Sequence, residues 1–283
     1  MSLSHRKAPR SLRRTITSTV EREGVGLHSG LHARVLLSPA PAGQGIYLNG
    51  DPLSIARWPM SQWRSRIEGG SGHVETPEHL LAALSIAEID DLLIEVQGGE
   101  VPILDGSAAE WLSALDPCPA LPETHRDTLQ LKRPLLLTEG AAWLIARPAE
   151  RLTLSLSASF PGLGTVKIQA ARGAGKAGVL SLAALANART FGFQAWETLL
   201  RDQGLIRGVS LANTVVFDDD GHCLNPEGLR CVDEPFRHKA LDFLGDLMIL
   251  GRPIKASISM HRGGHRLHRR LVSALDALSR LDA

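Results

Sequence analysis

EPFRHKALDFLGDLMIL, residues 234–250, is the stretch on which the reading of this chain turns. As a helix it sets His238, Asp242 and Asp246 one turn apart, because side chains four residues apart share a face. Leu241, Leu244, Leu247 and Met248 offer a core-forming face beside that stripe. An imidazole and two carboxylates next to a core are costly unless they find partners there. Beyond this helix, IKASISM reads as a strand, HRGG as a loop, and HRLHRRLVSALDAL as a second helix.

The first half of the chain echoes that order. TPEHLLAALSIAEI reads as a helix, DLLIEVQG as a strand, and after VPILDG a helix opens at SAAEWLSAL. Strand-rich stretches precede both sets: LHARVLLSP and GIYLNG in one half, WLIARP and RLTLSLSASF in the other. The alternation in LTLSLS is a period-two signal for a half-buried strand. A histidine stands early in the corresponding helix of each half, which favours a duplication. The proline-rich stretch DPCPALPETHRD (116–127) is the expected linker. The division is therefore expected as 13–122 and 123–283, an N-terminal and a C-terminal α+β domain.

Bulk composition narrows the function. The chain has 283 residues, 43% of them hydrophobic, ample for a buried core. No apolar run reaches membrane-spanning length and no signal-peptide pattern opens the sequence. The first fourteen residues hold five Lys or Arg and no acid, leaving 26 basic against 30 acidic residues, or −4, in the remainder. That balance, with only 4% aromatics, does not suit a nucleic-acid binder. Cys118, Cys223 and Cys231 form no C-x-x-C pair and suit a reducing cytoplasm. No heptad pattern is exposed, which points to a monomer. GAGKAG (173–178) is not a phosphate loop: Ala170 stands where that motif needs glycine, and Ala177 where it needs a hydroxyl. It reads as a flexible loop.

The chemistry gathers at two helices. In VETPEHLLAAL, Thr76 is the expected N-cap and Pro77 the first helical residue, with Glu78 and His79 in the first turn. His238 and Asp242 can chelate one ion, and their nitrogen and oxygen donors suit Zn²⁺ or Fe²⁺. His79 could be a third ligand, Glu78 stands beside it, and HRGGHRLH offers His265 on a Gly-Gly loop. Three protein ligands and an open position are the catalytic pattern, whereas structural zinc sites are closed and cysteine-rich. Cys223, Cys231 and His222 form at most a remote second candidate.

GVGLHSG, TPEHLLAAL, VPILDGSAAEW, ARTFGF, LNPEGLRCVDEPFRHKALDFLGDL and GGH occur in that order across nearly the whole chain. Together they resemble the UDP-3-O-acyl-N-acetylglucosamine deacetylases, zinc enzymes of lipid A biosynthesis. The resemblance implies an α+β fold of two related domains, each a β-sheet layered with α-helices, packed as a β-α-α-β sandwich with the active site between them. It implies an amide hydrolase that removes acetate from a UDP-linked acylated amino sugar in the cytoplasm. It implies that His79, His238 and Asp242 hold Zn²⁺, that Glu78 is the general base, and that His265 is its cationic partner, charged and oriented by Asp246. Thr190 would donate to the oxyanion and Lys239 would meet the phosphates. Phe160 and Phe193 would pack around the uridine, with Phe191 near the acyl passage. A diphosphate would also attract the basic run HRGGHRLHRR; there Arg262 is the expected contact, with Arg269 and Arg270 left to solvent.

The sequence departs from the family pattern in three places. SASFPGLGTV lacks the customary His-Pro after the phenylalanine, Ala142 replaces a lysine before Trp143, and His268 stands where asparagine is usual. Two other readings stay open at this point: the same chemistry on a modified UDP-amino sugar, and a non-catalytic binder of metal or nucleotide sugar.

Overall fold

The computed structural model describes residues 11–60, 64–70, 72–173 and 177–281. Most of the basic N-terminal stretch and the centre of GAGKAG therefore lie outside the described residues. In the first half, β1 (Leu12–Arg14) leads into β2 (Val20–Val25), β3 (His32–Pro39), β4 (Ile46–Leu48) and β5 (Asp51–Pro52). A ribbon of β6 (Arg66–Gly69) and β7 (Gly72–Glu75) runs into α1 (Glu78–Ala87), followed by β8 (Leu92–Gln97) and α2 (Ala109–Ala114). The second half holds β9 (Ala120–His125), β10 (Leu129–Gln130), β11 (Leu135–Glu139), β12 (Ala142–Pro148), β13 (Thr153–Phe160), β14 (Gly164–Ala171) and β15 (Leu180–Ser181). An excursion then carries β16 (Phe191–Phe193), α3 (Glu197–Asp202) and β17 (Val215–Phe217) before α4 (Glu234–Met248), β18 (Ile254–His261) and α5 (His265–Leu281).

The expected duplication is visible in the strand order. The first sheet runs β2-β3-β8-β4-β5; the second runs β11-β12-β18-β13-β14-β15, with β10 pairing alongside β18. In each, the strand after the long helix enters the middle of its sheet, antiparallel to one neighbour and parallel to the other: β8 between β3 and β4, β18 between β12 and β13. β8 corresponds to β18, α1 to α4 and α2 to α5. Alternation explains the strands: Ala33, Val35 and Leu37 face the core from β3, and Ile254, Ala256, Ile258 and Met260 do so from β18.

α1 and α4 lie between the sheets. Glu78 through Ser85 are all buried, and α4 buries nearly every residue from Glu234 to Met248. A helix covered on all sides belongs to the middle of a layered fold. Leu80, Leu81 and Leu84 join Val35, Leu37 and Ile94 in one apolar core that continues to Leu241, Leu244 and Ile258. Each such side chain contributes on the order of 1.5–3 kcal/mol of burial. The two helices pack directly on one another. They approach so closely at Gly245 that a Cβ there would stand 2.0 Å from the Glu78 carbonyl oxygen.

The stretch expected as an open linker is partly structured. β9 lies within it and pairs antiparallel with β1, Leu12 opposite His125 and Arg14 opposite Ala120, so the 122/123 division falls inside a strand. A two-stranded edge ribbon tolerates the prolines that a central strand would not. Charges secure it. Arg13 grips Asp91 with two bonds of 2.7 Å, and Arg126 reaches both Asp90 and Glu88 at 2.8 Å. Glu88 ends α1 in the left-handed conformation and also takes Arg172 at 2.9 Å.

Gly245→Ala should destabilise the protein by about 1–3 kcal/mol, since the clash is with backbone and neither helix can move without opening the core. Urea unfolding followed by circular dichroism measures this. A change within about 0.5 kcal/mol, the range of ordinary surface substitutions, would show that the helices are not locked at this crossing.

Candidate active site

The crossing of α1 over α4 brings the two histidine segments together. Glu78 and His79 open α1, 4% and 5% exposed. Thr76 is not the side-chain cap expected of it. Its backbone is left-handed at φ 56°, and its hydroxyl donates to Glu100 Oε1 at 2.7 Å. The buried Glu100 carboxylate also takes the His28 and Ser29 amides at 2.9 and 2.8 Å, so it staples the GVGLHSG loop to the start of α1. A demanding buried carboxylate has claimed the hydroxyl that a cap would have used.

His79, His238 and Asp242 each present a ligand atom within 4.8 Å of the others. Asp242 Oδ1 lies 3.2 Å from His238 Nε2 and 3.6 Å from His79 Nε2. The rings stand edge to face, 4.9 Å apart. His238 Nδ1 donates to the Ala188 carbonyl at 3.0 Å. In the neutral ring that bond fixes the tautomer and leaves a lone pair on Nε2. Lone pairs on Nε2 and Oδ1 then face each other with no proton between them, an arrangement that a cation bridges well. The donor set fits a divalent ion that takes nitrogen and oxygen ligands. Burial alone would raise the Asp242 carboxyl, but positive charge at His238, whether a shared proton or a cation in its place, and the Lys239 ammonium hold it well below the usual carboxylate range. Lys239 Nζ is 3.0 Å from its other oxygen.

A second group stands beside the first. His265 Nδ1 donates to Asp246 Oδ2 at 2.7 Å, leaving Nε2 4.0 Å from Glu78 Oε1. Burial works against a charged His265, but the Asp246 carboxylate outweighs it and raises the imidazole to about 9. Burial pushes Glu78 the other way for an acid, up to about 7, with His265 opposing it. Glu78 Oε2 is buried without a partner, free to accept a proton. A poised carboxylate beside a stably charged imidazole is the pairing expected of a base and an acid.

Both groups border one cavity of about 350 Å³. Glu78, His79, His238, Asp242 and His265 line it, joined by Lys239 and Thr190. The Thr190 amide donates to Gly106 O at 2.7 Å, and its carbonyl accepts from Val215 at 2.8 Å, so VPILDG and β17 fix its backbone. Gly106, at φ 85°, is pressed so tightly on the Asn213 carbonyl that a Cβ would sit 1.9 Å from its oxygen. Much of the rest of the lining is apolar, with Phe191 edge-to-face on His238 at 6.1 Å. Phe160, Phe191 and Phe193 pack with centroids 4.9 to 6.4 Å apart, and Trp196, Ile206, Val209 and Val216 extend that surface. FGFQAW (191–196) and GLIRGVSLANTVV (204–216) thus both contribute lining.

Arg262 is not in this cavity. It lines an adjoining polar recess with Glu139 and Arg266, which shares only Gly264 and His265 with the first. Arg269 and Arg270 are not left to solvent: Arg269 donates to the Trp58 carbonyl and Arg270 to the Thr138 carbonyl at 2.8 Å. Unpaired carbonyls at a loop and a sheet edge recruit them, which no charge pattern discloses. Around Cys223 and Cys231 no thiolate site forms. Burial pushes the Cys231 thiol up to about 11, and His222 pairs instead with Asp218 at 3.1 Å.

Several supporting residues have no simple signal in sequence. Arg189, 2% exposed, grips Glu234 and Glu227 at 2.8 Å and the Gly228 carbonyl at 2.7 Å. Arg189 lies between Ala188, whose carbonyl orients His238, and Thr190, so the clamp fixes the chain between them. Ser65 and His268 both bond to Asp246. Arg189 had a cue in its place in ARTFGF and His268 in its departure from the family pattern; Ser65 had none.

Comparison with known proteins finds relatives that match nearly the whole chain. The profile of the UDP-3-O-acyl N-acetylglycosamine deacetylase family (LpxC) matches residues 13–277. A UDP-3-O-acyl-N-acetylglucosamine deacetylase of Thermosynechococcus vestitus is 39% identical over 271 residues, 93% of each chain. One from Synechocystis is 38% identical over 272 residues, covering 92% of this chain and 97% of the relative. One from Chromobacterium violaceum is 35% identical over 280 residues, covering 93% and 90%. The matched region runs through both sheets, α1, α4 and every residue of the buried site: the chain belongs to the UDP-3-O-acyl N-acetylglycosamine deacetylase family.

Proposed function

We propose that this chain hydrolyses the acetamide of a UDP-3-O-acyl-N-acetylglucosamine, releasing acetate and the free amine in lipid A biosynthesis. The reading is supported above all by the convergence of His79, His238 and Asp242 beside the Glu78–His265 pair in the lining of a largely apolar cavity. Those three residues would hold Zn²⁺, with Fe²⁺ the other ion suited to the donors. A cation held there supplies Lewis-acid polarisation and acidifies a water.

The residues of the chain do the rest. Glu78, through its unpartnered Oε2, takes the proton of the attacking water. The Thr190 hydroxyl donates to the oxygen on which negative charge develops, where a preorganised donor counts most. His265, held as an imidazolium by Asp246, gives its Nε2 proton to the departing amine. Lys239 balances Asp242 and faces the cavity, where it can also meet a phosphate. The aromatic trio offers stacking surface, Phe160 and Phe193 toward the uridine and Phe191 toward the acyl chain, with Ile206, Val209 and Val216 continuing the apolar wall. Arg262, in the adjoining recess, is placed to attract a diphosphate.

We take 13–122 and 123–283 as the two units and the monomer as the working form, since one chain supplies the whole site. A nucleotide-linked substrate and three free cysteines suit the cytoplasm. Among the described residues no helix is long and apolar enough to cross a membrane.

Acetate release from the UDP-linked substrate by zinc-loaded protein tests the proposal; no release under those conditions would refute it. Glu78→Gln should keep its full metal content while losing about 100-fold to 10,000-fold in turnover. Loss of the ion would assign Glu78 to the ligand set instead. His238→Ala should lose the metal, as read by elemental analysis after dialysis, and full occupancy would exclude it as a ligand. The pH profile has a definite sign. His265 must be protonated to act, so activity should fall as pH rises through about 9. In Asp246→Asn burial prevails, and the alkaline limb should move down by about 1–3 units. An unmoved limb would mean that another group sets it.

A further inference from the structure

Asp246 serves more than one partner. Its side chain has no exposed surface. One carboxylate oxygen accepts from Ser65 Oγ, while Oδ2 accepts from both His265 Nδ1 and His268 Nδ1 at 2.7 Å each. His268 is fully buried, with its ring edge-to-face on Phe243 at 4.9 Å and 5.7 Å from the ring of His265. Its Nε2 has no partner. A second proton on His268 would therefore sit on a buried nitrogen with no acceptor, beside a ring already charged. His268 stays neutral, with its one proton on Nδ1, and acts as a fixed donor.

We propose that His268 is a positioning residue which divides Asp246 Oδ2 between two imidazoles, holding the carboxylate in register with His265 while loosening its hold on the His265 proton. An oxygen that accepts two N–H bonds is a weaker base toward each than one that accepts a single bond. This matters for an acid that must surrender its proton, since an imidazolium bound too tightly donates poorly. The other charged or titratable groups around His265 are Glu78 and His79 on α1, His238, Lys239 and Asp242 on α4, His28 on the N-terminal loop, and Glu139, Arg262 and Arg266 in the adjoining recess. None of them bonds to Asp246 Oδ2. The inference rests on His265 being the acid of the proposed reaction, so its test is read without turnover.

The test uses full-length, zinc-loaded protein with isotope-labelled histidine, following the His265 ring by NMR across pH. His268→Phe keeps the bulk and removes the donor; the His265 midpoint should rise by about half a unit to one unit, the worth of one hydrogen bond. His268→Asn should restore a near wild-type midpoint, because the carboxamide nitrogen lies as many bonds from Cβ as Nδ1 does. Kinetically, the phenylalanine variant should lose kcat with KM little changed. An unmoved or lowered midpoint in His268→Phe, or the same midpoint in both variants, would overturn the proposal. Should the phenylalanine variant not fold, the wild-type spectrum decides: His268 must stay neutral and protonated on Nδ1 throughout, and a ring protonated on Nε2 would overturn it. Absence of acetate release would count against the deacetylase reading alone, and an unmoved midpoint against His268 alone.

Discussion

The rest of the structure depends on one close contact, where Gly245 of α4 lies against the backbone carbonyl of Glu78 at the start of α1. No larger residue fits without displacing one helix. Because the contact falls at the first turn of α1 and past the middle of α4, it puts Glu78 and His79 opposite His238, Asp242 and Asp246. Each sheet packs behind its own helix, so the crossing also sets how the two layered halves meet. The site is thus made where two related halves join. Neither half carries a complete set: one supplies Glu78 and His79, the other the remaining groups.

Burying that many charges would ordinarily cost several kcal/mol per ion. The arrangement compensates locally. Asp242 has Lys239, Asp246 has two imidazole donors and a serine, and Glu234 has Arg189. Glu78 is the exception. Its Oε2 is left without a partner, and its carboxyl is correspondingly raised to about 7. The group with the least compensation is the one proposed to accept a proton, which is where incomplete compensation would be useful. Outside the shell, the Arg189 clamp and the Glu100 staple carry no chemistry of their own, yet they fix the Ala188 carbonyl and the GVGLHSG loop on which the site leans.

Much of this was legible in the sequence because helical periodicity is strict. Four-residue spacing alone put His238, Asp242 and Asp246 on one stripe, and the order of helix, strand, loop and helix foretold two equivalent sheets. His79 and His265 were candidates to join that stripe from residue type alone, and the resemblance to a family then gave them their roles. What was missed depends on contacts between distant backbones. Thr76 looked like a cap until Glu100, twenty-four residues on, claimed its hydroxyl. Residues 116–127 looked like an open linker because proline excludes a central strand, but not an edge ribbon held by arginines. Arg269 and Arg270 looked solvent-facing because a sequence does not show which carbonyls are left unpaired. His268 stood out only as a departure; its partner, Asp246, had already been assigned to His265.

The central claim is that one divalent cation joins the two halves through His79, His238 and Asp242. Anomalous diffraction at the zinc absorption edge, from crystals of zinc-loaded protein, tests it most directly. A single strong peak is expected, bonded to His79 Nε2, His238 Nε2 and Asp242, beside the Glu78 carboxylate. A peak bonded to other side chains, or one that leaves His79 outside the coordination sphere, would contradict it.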